Sequence, residues 1–115
     1  MKDWRTIQER YLQDELPIRL GGIAANLSRV KSFAKHDANQ EAVASLLEES
    51  KFFIEWTAGE ADISTAAELV ELQVQLSLWA RAWDEIWQNS ARRQRVADAS
   101  GDWSQRVLEL SGLLD

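Results

Sequence analysis

Apolar residues recur at alternating spacings of three and four positions in four separate segments, and this pattern constrains the fold more than any other feature. Such spacing places the apolar side chains on one side of an α-helix. No sustained run alternates β-branched and polar residues, so no strand is predicted. The chain has one proline, Pro17, which leaves room for long uninterrupted helices. The sequence therefore predicts an all-α protein.

The apolar spacing and the helix-ending residues set the limits of five predicted helices. Leu16 precedes Pro17 and is disfavoured in helical geometry, so the first helix ends just before it. Pro17 suits the first turn of the second helix, where its missing N–H costs nothing. The predicted helices span residues 3–15, 17–36, 40–57, 63–88 and 91–111. The fourth is the longest and is predicted to be one continuous rod.

Short connections join the last four helices, which favours antiparallel neighbours. We therefore expect an all-α, up-and-down antiparallel four-helix bundle with a short extra N-terminal helix. A length of 115 residues suits one domain with a sizeable core, and no linker divides residues 1–115.

The charge and the cysteine count disfavour several classes of function. A net charge of −6 repels nucleic-acid phosphates and anionic membranes, so neither partner is expected. The absence of cysteine excludes disulfides, iron–sulfur clusters and thiolate zinc sites. The charged stretch MKDWRTIQERYLQDE lacks the apolar run of a secretory signal, and no uncharged run is long enough to span a membrane. We expect a soluble, cytoplasmic protein.

Three tryptophans, Trp79, Trp83 and Trp87, are spaced four residues apart in the fourth predicted helix. They lie along one side of that helix and overlap its main apolar stripe, so filling the core is the simplest interpretation. The alternative is that they line a pocket for a small aromatic ligand. Both interpretations fit the spacing.

The fourth predicted helix also carries a second apolar stripe, nearly opposite the first. It consists of Ile63, Val70, Val74 and Leu78. Something must cover these side chains, and two candidates are the N-terminal helix and a second subunit. We interpret the stripe as a partner-binding surface.

Phe52 and Trp56 in the third predicted helix also point away from its core stripe. An exposed aromatic pair of this kind is typical of an anchor for a protein partner. The alternative is that the first helix covers the pair through Trp4 and Tyr11.

Residues for catalysis, metals or cofactors are sparse. A single histidine cannot supply the two Glu-x-x-His motifs of a di-metal bundle, and no phosphate-binding glycine loop is present. Arg29 and His36 are separated by six residues, which resembles the Arg-x(4–6)-His motif of HEPN-domain ribonucleases. Val30 stands where that family commonly has a polar residue. We expect no catalytic residue, metal or cofactor, and keep a ribonuclease as an alternative.

The runs LLEESKFFIEWTA, ELVELQVQLSLW and VLELSGLL resemble those of a group of small all-helical cyanobacterial proteins with no assigned activity. The resemblance spans nearly the whole chain and implies a cytoplasmic protein. It brings no catalytic residues. Taken together, the sequence favours a non-enzymatic helical interaction module that binds itself as a homodimer, or binds another protein.

Overall fold

The computed structural model describes residues 2–115, and every regular element in that range is helical. The six α-helices are α1 (Trp4–Tyr11), α2 (Leu16–Phe33), α3 (Gln40–Thr57), α4 (Ile63–Arg81), α5 (Trp83–Gln88) and α6 (Ser90–Ser111). Short 3₁₀ turns at Asp37–Asn39 and Ala58–Glu60 precede α3 and α4. The prediction of an all-α protein is confirmed, and the predicted limits of α3 are those observed.

Several helix ends are fixed by local hydrogen bonds or by backbone geometry. The Asp3 carboxylate accepts a hydrogen bond from the Thr6 backbone N–H at 3.2 Å and so caps α1. The Asn89 side chain caps α6 in the same way. Gly112 ends α6 in the left-handed region, with φ of 77°, where a residue without Cβ is favoured.

Helix α2 packs between α3 and α6, and α4 packs on α3 and also contacts α6, where Arg106 forms an ion pair with Glu68 at 2.6 Å. The Ser104 hydroxyl of α6 donates a hydrogen bond to the Ala24 carbonyl of α2 at 2.7 Å. The Gln73 amide of α4 donates to the Lys51 carbonyl of α3 at 3.1 Å. Apolar residues with no more than 1% exposure come from all four of these helices: Ile23, Leu27, Val30, Val43, Leu47, Ile54, Leu69, Leu72, Leu76, Ala97 and Val107.

The continuous rod predicted over residues 63–88 is wrong, because the helix breaks at Ala82. Ala82 has φ of −104° and ψ of 19°, outside the helical region. Beyond it, the indole N–H of Trp83 donates to the Gln40 carbonyl at 3.2 Å, and that of Trp87 donates to the Asp37 carbonyl at 2.9 Å. These two bonds hold α5 against the start of α3, so tertiary contacts outweigh the helical preference of the segment.

Arg19, whose side chain is almost fully buried, fixes the connection between α1 and α2 through hydrogen bonds and an ion pair. Its guanidinium donates to the Asp14 carbonyl at 2.8 Å and to the Leu12 carbonyl at 3.4 Å. It also forms an ion pair with Glu60 at 2.7 Å. The Tyr11 hydroxyl donates to the Arg19 carbonyl at 2.7 Å. One side chain therefore joins the connection between α1 and α2 to the turn that follows α3.

Candidate interaction surface

The outward side of α4 carries a line of exposed aliphatic side chains, which we call the α4 stripe. It consists of Ile63, Val70, Val74 and Leu78, whose exposures are 89%, 50%, 56% and 54%. The opposite side of the same helix supplies fully buried leucines to the core. Because a helix turns by about 100° per residue, these four positions fall on one narrow strip. The apolar side chains predicted as a partner-binding surface thus lie together in solvent.

The α4 stripe is about 22 Å long, at a rise of 1.5 Å per residue. Ala67 lies within it and is also exposed. An acid stands at one end and a base at the other: Asp62 directly precedes α4, and Arg81 is its last residue. Arg81 is exposed and forms no ion pair with any residue of 2–115.

Asp62 is held in its charged form by neighbouring hydroxyl groups. The Ser64 hydroxyl donates to the Asp62 carboxylate at 2.6 Å. Hydrogen bonds from Ser64 and then Thr65 lower the pKa of Asp62 below its usual value. The acidic end of the stripe therefore carries a negative charge at neutral pH.

Helix α1 does not cover the α4 stripe, so the first candidate for that role is wrong. It packs on α3 instead, where the Trp4 ring lies 4.4 Å from Phe52 and 6.4 Å from Trp56 between centroids. Both Phe52 and Trp56 are half-buried. The structure therefore places this aromatic pair against α1. This is the alternative given above, in which the first helix covers the pair, and not an exposed anchor for a partner.

The contact between α1 and α3 extends to a buried stack. The rings of Tyr11 and Phe53 are 3.9 Å apart between centroids and nearly parallel, at 8°. Burial raises the pKa of Tyr11 to about 12, since the charged phenolate is disfavoured away from water. The Thr57 hydroxyl also lies 3.3 Å from the phenol oxygen. Helix α1 is thus docked by close aromatic packing.

A groove of about 500 Å³ lies between α3 and α4. Its lining mixes charged and apolar side chains: Ala44, Leu47, Glu48, Lys51, Phe52, Glu55, Gln73, Ala80 and Trp83. Gln73 and Ala80 come from α4 and are offset around that helix from the α4 stripe. The polar side chains of this groove therefore lie beside the apolar α4 stripe, and polar groups also surround the apolar centre of many protein interfaces.

The three tryptophans of the predicted ligand pocket are buried and do not share one side. Trp79 belongs to α4, whereas Trp83 and Trp87 belong to α5, with ring centroids 5.4 Å apart. Arg93 covers the Trp87 ring, its guanidinium carbon 5.2 Å from the ring centroid. Trp79 lines a second groove, of about 330 Å³, together with Arg92 of α6. The break at Ala82 therefore separates Trp79 from the other two.

Arg29 and His36, the pair considered for a ribonuclease, are both exposed. Arg29 donates a hydrogen bond to the Asn26 side chain at 3.0 Å. His36 lies beyond the end of α2, directly before the 3₁₀ turn. No hydrogen bond within residues 2–115 joins the two side chains, and the ribonuclease stays a prediction.

A second apolar patch, which the sequence did not predict, lies where the C-terminal residues meet α2. Ile18 is 51% exposed, and Leu113 and Leu114 are 45% and 59% exposed. Leu113 packs so closely on α2 that a Cβ at Gly21 would lie 2.9 Å from it. These residues do not recur at a helical spacing, and single exposed apolar residues are common on protein surfaces. No pattern in the sequence therefore identifies this patch.

Comparison of the chain with protein-family models, with curated proteins and with solved structures finds no match. Among the helices of residues 2–115, none combines the length and the apolar character needed to cross a bilayer.

Proposed function

We propose that this protein is a non-enzymatic helical interaction module that binds a second copy of itself through the α4 stripe. In this interpretation α2, α3, α4 and α6 act as an up-and-down four-helix bundle, and α1 is an extra helix that closes the α3 side. The observation that carries the proposal is the exposure of Ile63, Val70, Val74 and Leu78 on a helix whose other side is core.

Exposed aliphatic side chains favour association because burial removes them from water. Fully burying one such side chain is worth about 1.5–3 kcal/mol, and each stripe residue already has at least half its surface exposed. Four side chains from each copy therefore contribute several kcal/mol, which must offset the lost freedom of two molecules. The balance predicts a dimer of moderate affinity, with dissociation on the order of micromolar concentrations.

A second copy is a suitable partner because the surface is aliphatic and carries no charge along its middle line. Two such stripes exclude water from each other along this line without burying an ionised group. The charged groups, Asp62 and Arg81, stand only at the two ends. Glu71 flanks the stripe at an exposed position where water still reaches it.

The test is to place a charge in the stripe and to measure the mass of the protein in solution. Sedimentation equilibrium over a range of concentrations is expected to show a monomer–dimer equilibrium for the parent protein. Val74→Lys is expected to weaken the dimer at least tenfold, since a buried unpaired ammonium is costly.

Ile18→Lys is the matched control. Ile18 and Val74 are aliphatic, are exposed to 51% and 56%, and lie on different helices. The control is expected to leave the dimer unchanged. A parent protein that remains monomeric at the highest concentrations would overturn the proposal, and so would a dimer that Ile18→Lys disrupts and Val74→Lys does not.

A further inference from the structure

We propose that the two α4 stripes pair antiparallel about a two-fold axis, with Arg81 of each copy beside Asp62 of the other. This inference rests on the proposed function and adds the geometry of the contact. The juxtaposition that supports it is an apolar line with an acid before its first residue and a base after its last.

The two central residues of the stripe, Val70 and Val74, exchange places when α4 is reversed, whereas Ile63 and Leu78 come opposite other side chains. An axis that crosses the helix about midway between Val70 and Val74 brings each of these valines opposite the other in the partner. The same axis brings Ala67 to within about 1.5 Å, one residue, of the level of Leu78. The small side chain of Ala67 leaves room for the larger leucine, so the two helix axes can approach to about 8–10 Å.

The charges favour the antiparallel arrangement over the parallel one. In the antiparallel pair, Ile63 and Asp62 of one copy lie at the level of Arg81 of the other, so opposite charges share one level at both ends. In a parallel pair, Arg81 would face Arg81 and Asp62 would face Asp62, and the two helix dipoles would also be aligned unfavourably. The same charges therefore support one orientation and oppose the other.

Glu71 opposes the dimer in either orientation. It lies close to the proposed axis and so comes near its symmetry mate. Because it is exposed, solvent and salt screen this repulsion to a small value. Glu71 therefore reduces the affinity without selecting between the two orientations.

The chain contains no cysteine, so introduced thiols report the orientation without background. In the antiparallel dimer, Ala67→Cys of one copy lies within about one residue of the level of Leu78→Cys of the other, within reach of a disulfide. Two copies of Ala67→Cys are then separated by about 16 Å along the helix and cannot join. A parallel dimer reverses both results.

The experiment mixes equal amounts of Ala67→Cys and Leu78→Cys, oxidises the mixture gently, and identifies the disulfide-linked dimers by mass. We expect mostly mixed dimers, in at least fivefold excess over either variant linked to itself. Sedimentation of each reduced variant establishes first that it still dimerises. A second variant, Arg81→Gln, is expected to weaken the dimer several-fold.

The possible failures are distinguishable. A parent protein that stays monomeric removes the proposed function and the inference with it. A dimer in which Ala67→Cys links to itself, in which no disulfide forms, or which Arg81→Gln tightens, overturns the antiparallel geometry and leaves the proposed function standing.

Discussion

Two apolar surfaces outside the core lie on neighbouring helices, and only one of them is covered. On α3, Phe52 and Trp56 lie beneath Trp4 of α1, with ring centroids 4.4 and 6.4 Å away. On α4, the stripe residues remain at least half exposed. Both surfaces are apolar, so hydrophobicity alone does not decide whether the chain covers its own residues.

The difference follows from the length and shape of the covering element. Helix α1 has eight residues, so it is about 12 Å long, whereas the α4 stripe extends over about 22 Å. The α3 surface is compact and aromatic, and α1 offers it two rings, Trp4 and Tyr11, at matching positions. A short aromatic helix can complete a compact aromatic surface, but it cannot cover a long aliphatic line.

The largest change in stability is expected from Tyr11→Ala, which removes the ring that stacks on Phe53 and so tests how the α3 surface is covered. We expect the free energy of unfolding to fall by about 4 kcal/mol, because a buried aromatic contact and a buried hydrogen bond are lost together. Urea denaturation measures the change. Leu12→Ala, at the next and partly exposed position, is the control and is expected to cost under about 1 kcal/mol. Equal costs for the two variants would mean that the aromatic contact does not hold α1.

A smaller effect is expected from alkaline pH, which acts on the covered surface. Burial raises the pKa of Tyr11 to about 12, while an unfolded tyrosine titrates near ~10. The folded state therefore keeps its proton where the unfolded state releases it, so stability falls as pH rises from about 10 to 12. The expected loss is roughly 2–3 kcal/mol.

Denaturation at several pH values measures this loss, and Tyr11→Phe is the control that should lack it. Tyr11 is the only tyrosine, so the ultraviolet absorbance of tyrosinate follows its ionisation directly. Ionisation near the ordinary value in the folded protein would contradict the burial of this ring.

The smallest effect is expected from Val74→Thr, measured in solution dilute enough to dissociate the proposed dimer. A hydroxyl at an exposed position stays hydrated, so the free energy of unfolding should change by less than about 0.5 kcal/mol. The same substitution at the fully buried Val43 should cost about 2 kcal/mol, because its hydroxyl loses water. Similar costs for both variants would mean that the α4 stripe is covered in the monomer.

Much of the helical architecture could be predicted from local signals. The limits of α3 and the start of α4 follow from the apolar spacing and from the residues that flank it. The break at Ala82 could not be predicted, because neither glycine nor proline marks it and the apolar spacing continues on both sides. Its cause lies in distant carbonyl groups, those of Asp37 and Gln40, which accept the indole hydrogen bonds.

The residues of the candidate surface could be predicted, but their exposure could not. Periodicity identifies Val70 and Val74 as a second apolar side of the helix, whatever covers them. Whether α1 lies on α3 or on α4 depends on ring geometry, such as the stacking of Tyr11 on Phe53, which spacing does not encode. The sequence did not single out Asp62, because its role in the proposed dimer depends only on its position relative to Arg81 at the other end of the stripe.

Arg19 shows how much of the chain's path depends on one planar group. Its three nitrogens are directed at three different acceptors: two backbone carbonyls before α2 and the Glu60 carboxylate after α3. Lysine would keep the positive charge, but its single ammonium nitrogen cannot donate to three acceptors that lie in such different directions. The connection from α1 to α2 is therefore tied to the turn after α3, and the same guanidinium helps to position α1, whose rings pack on α3.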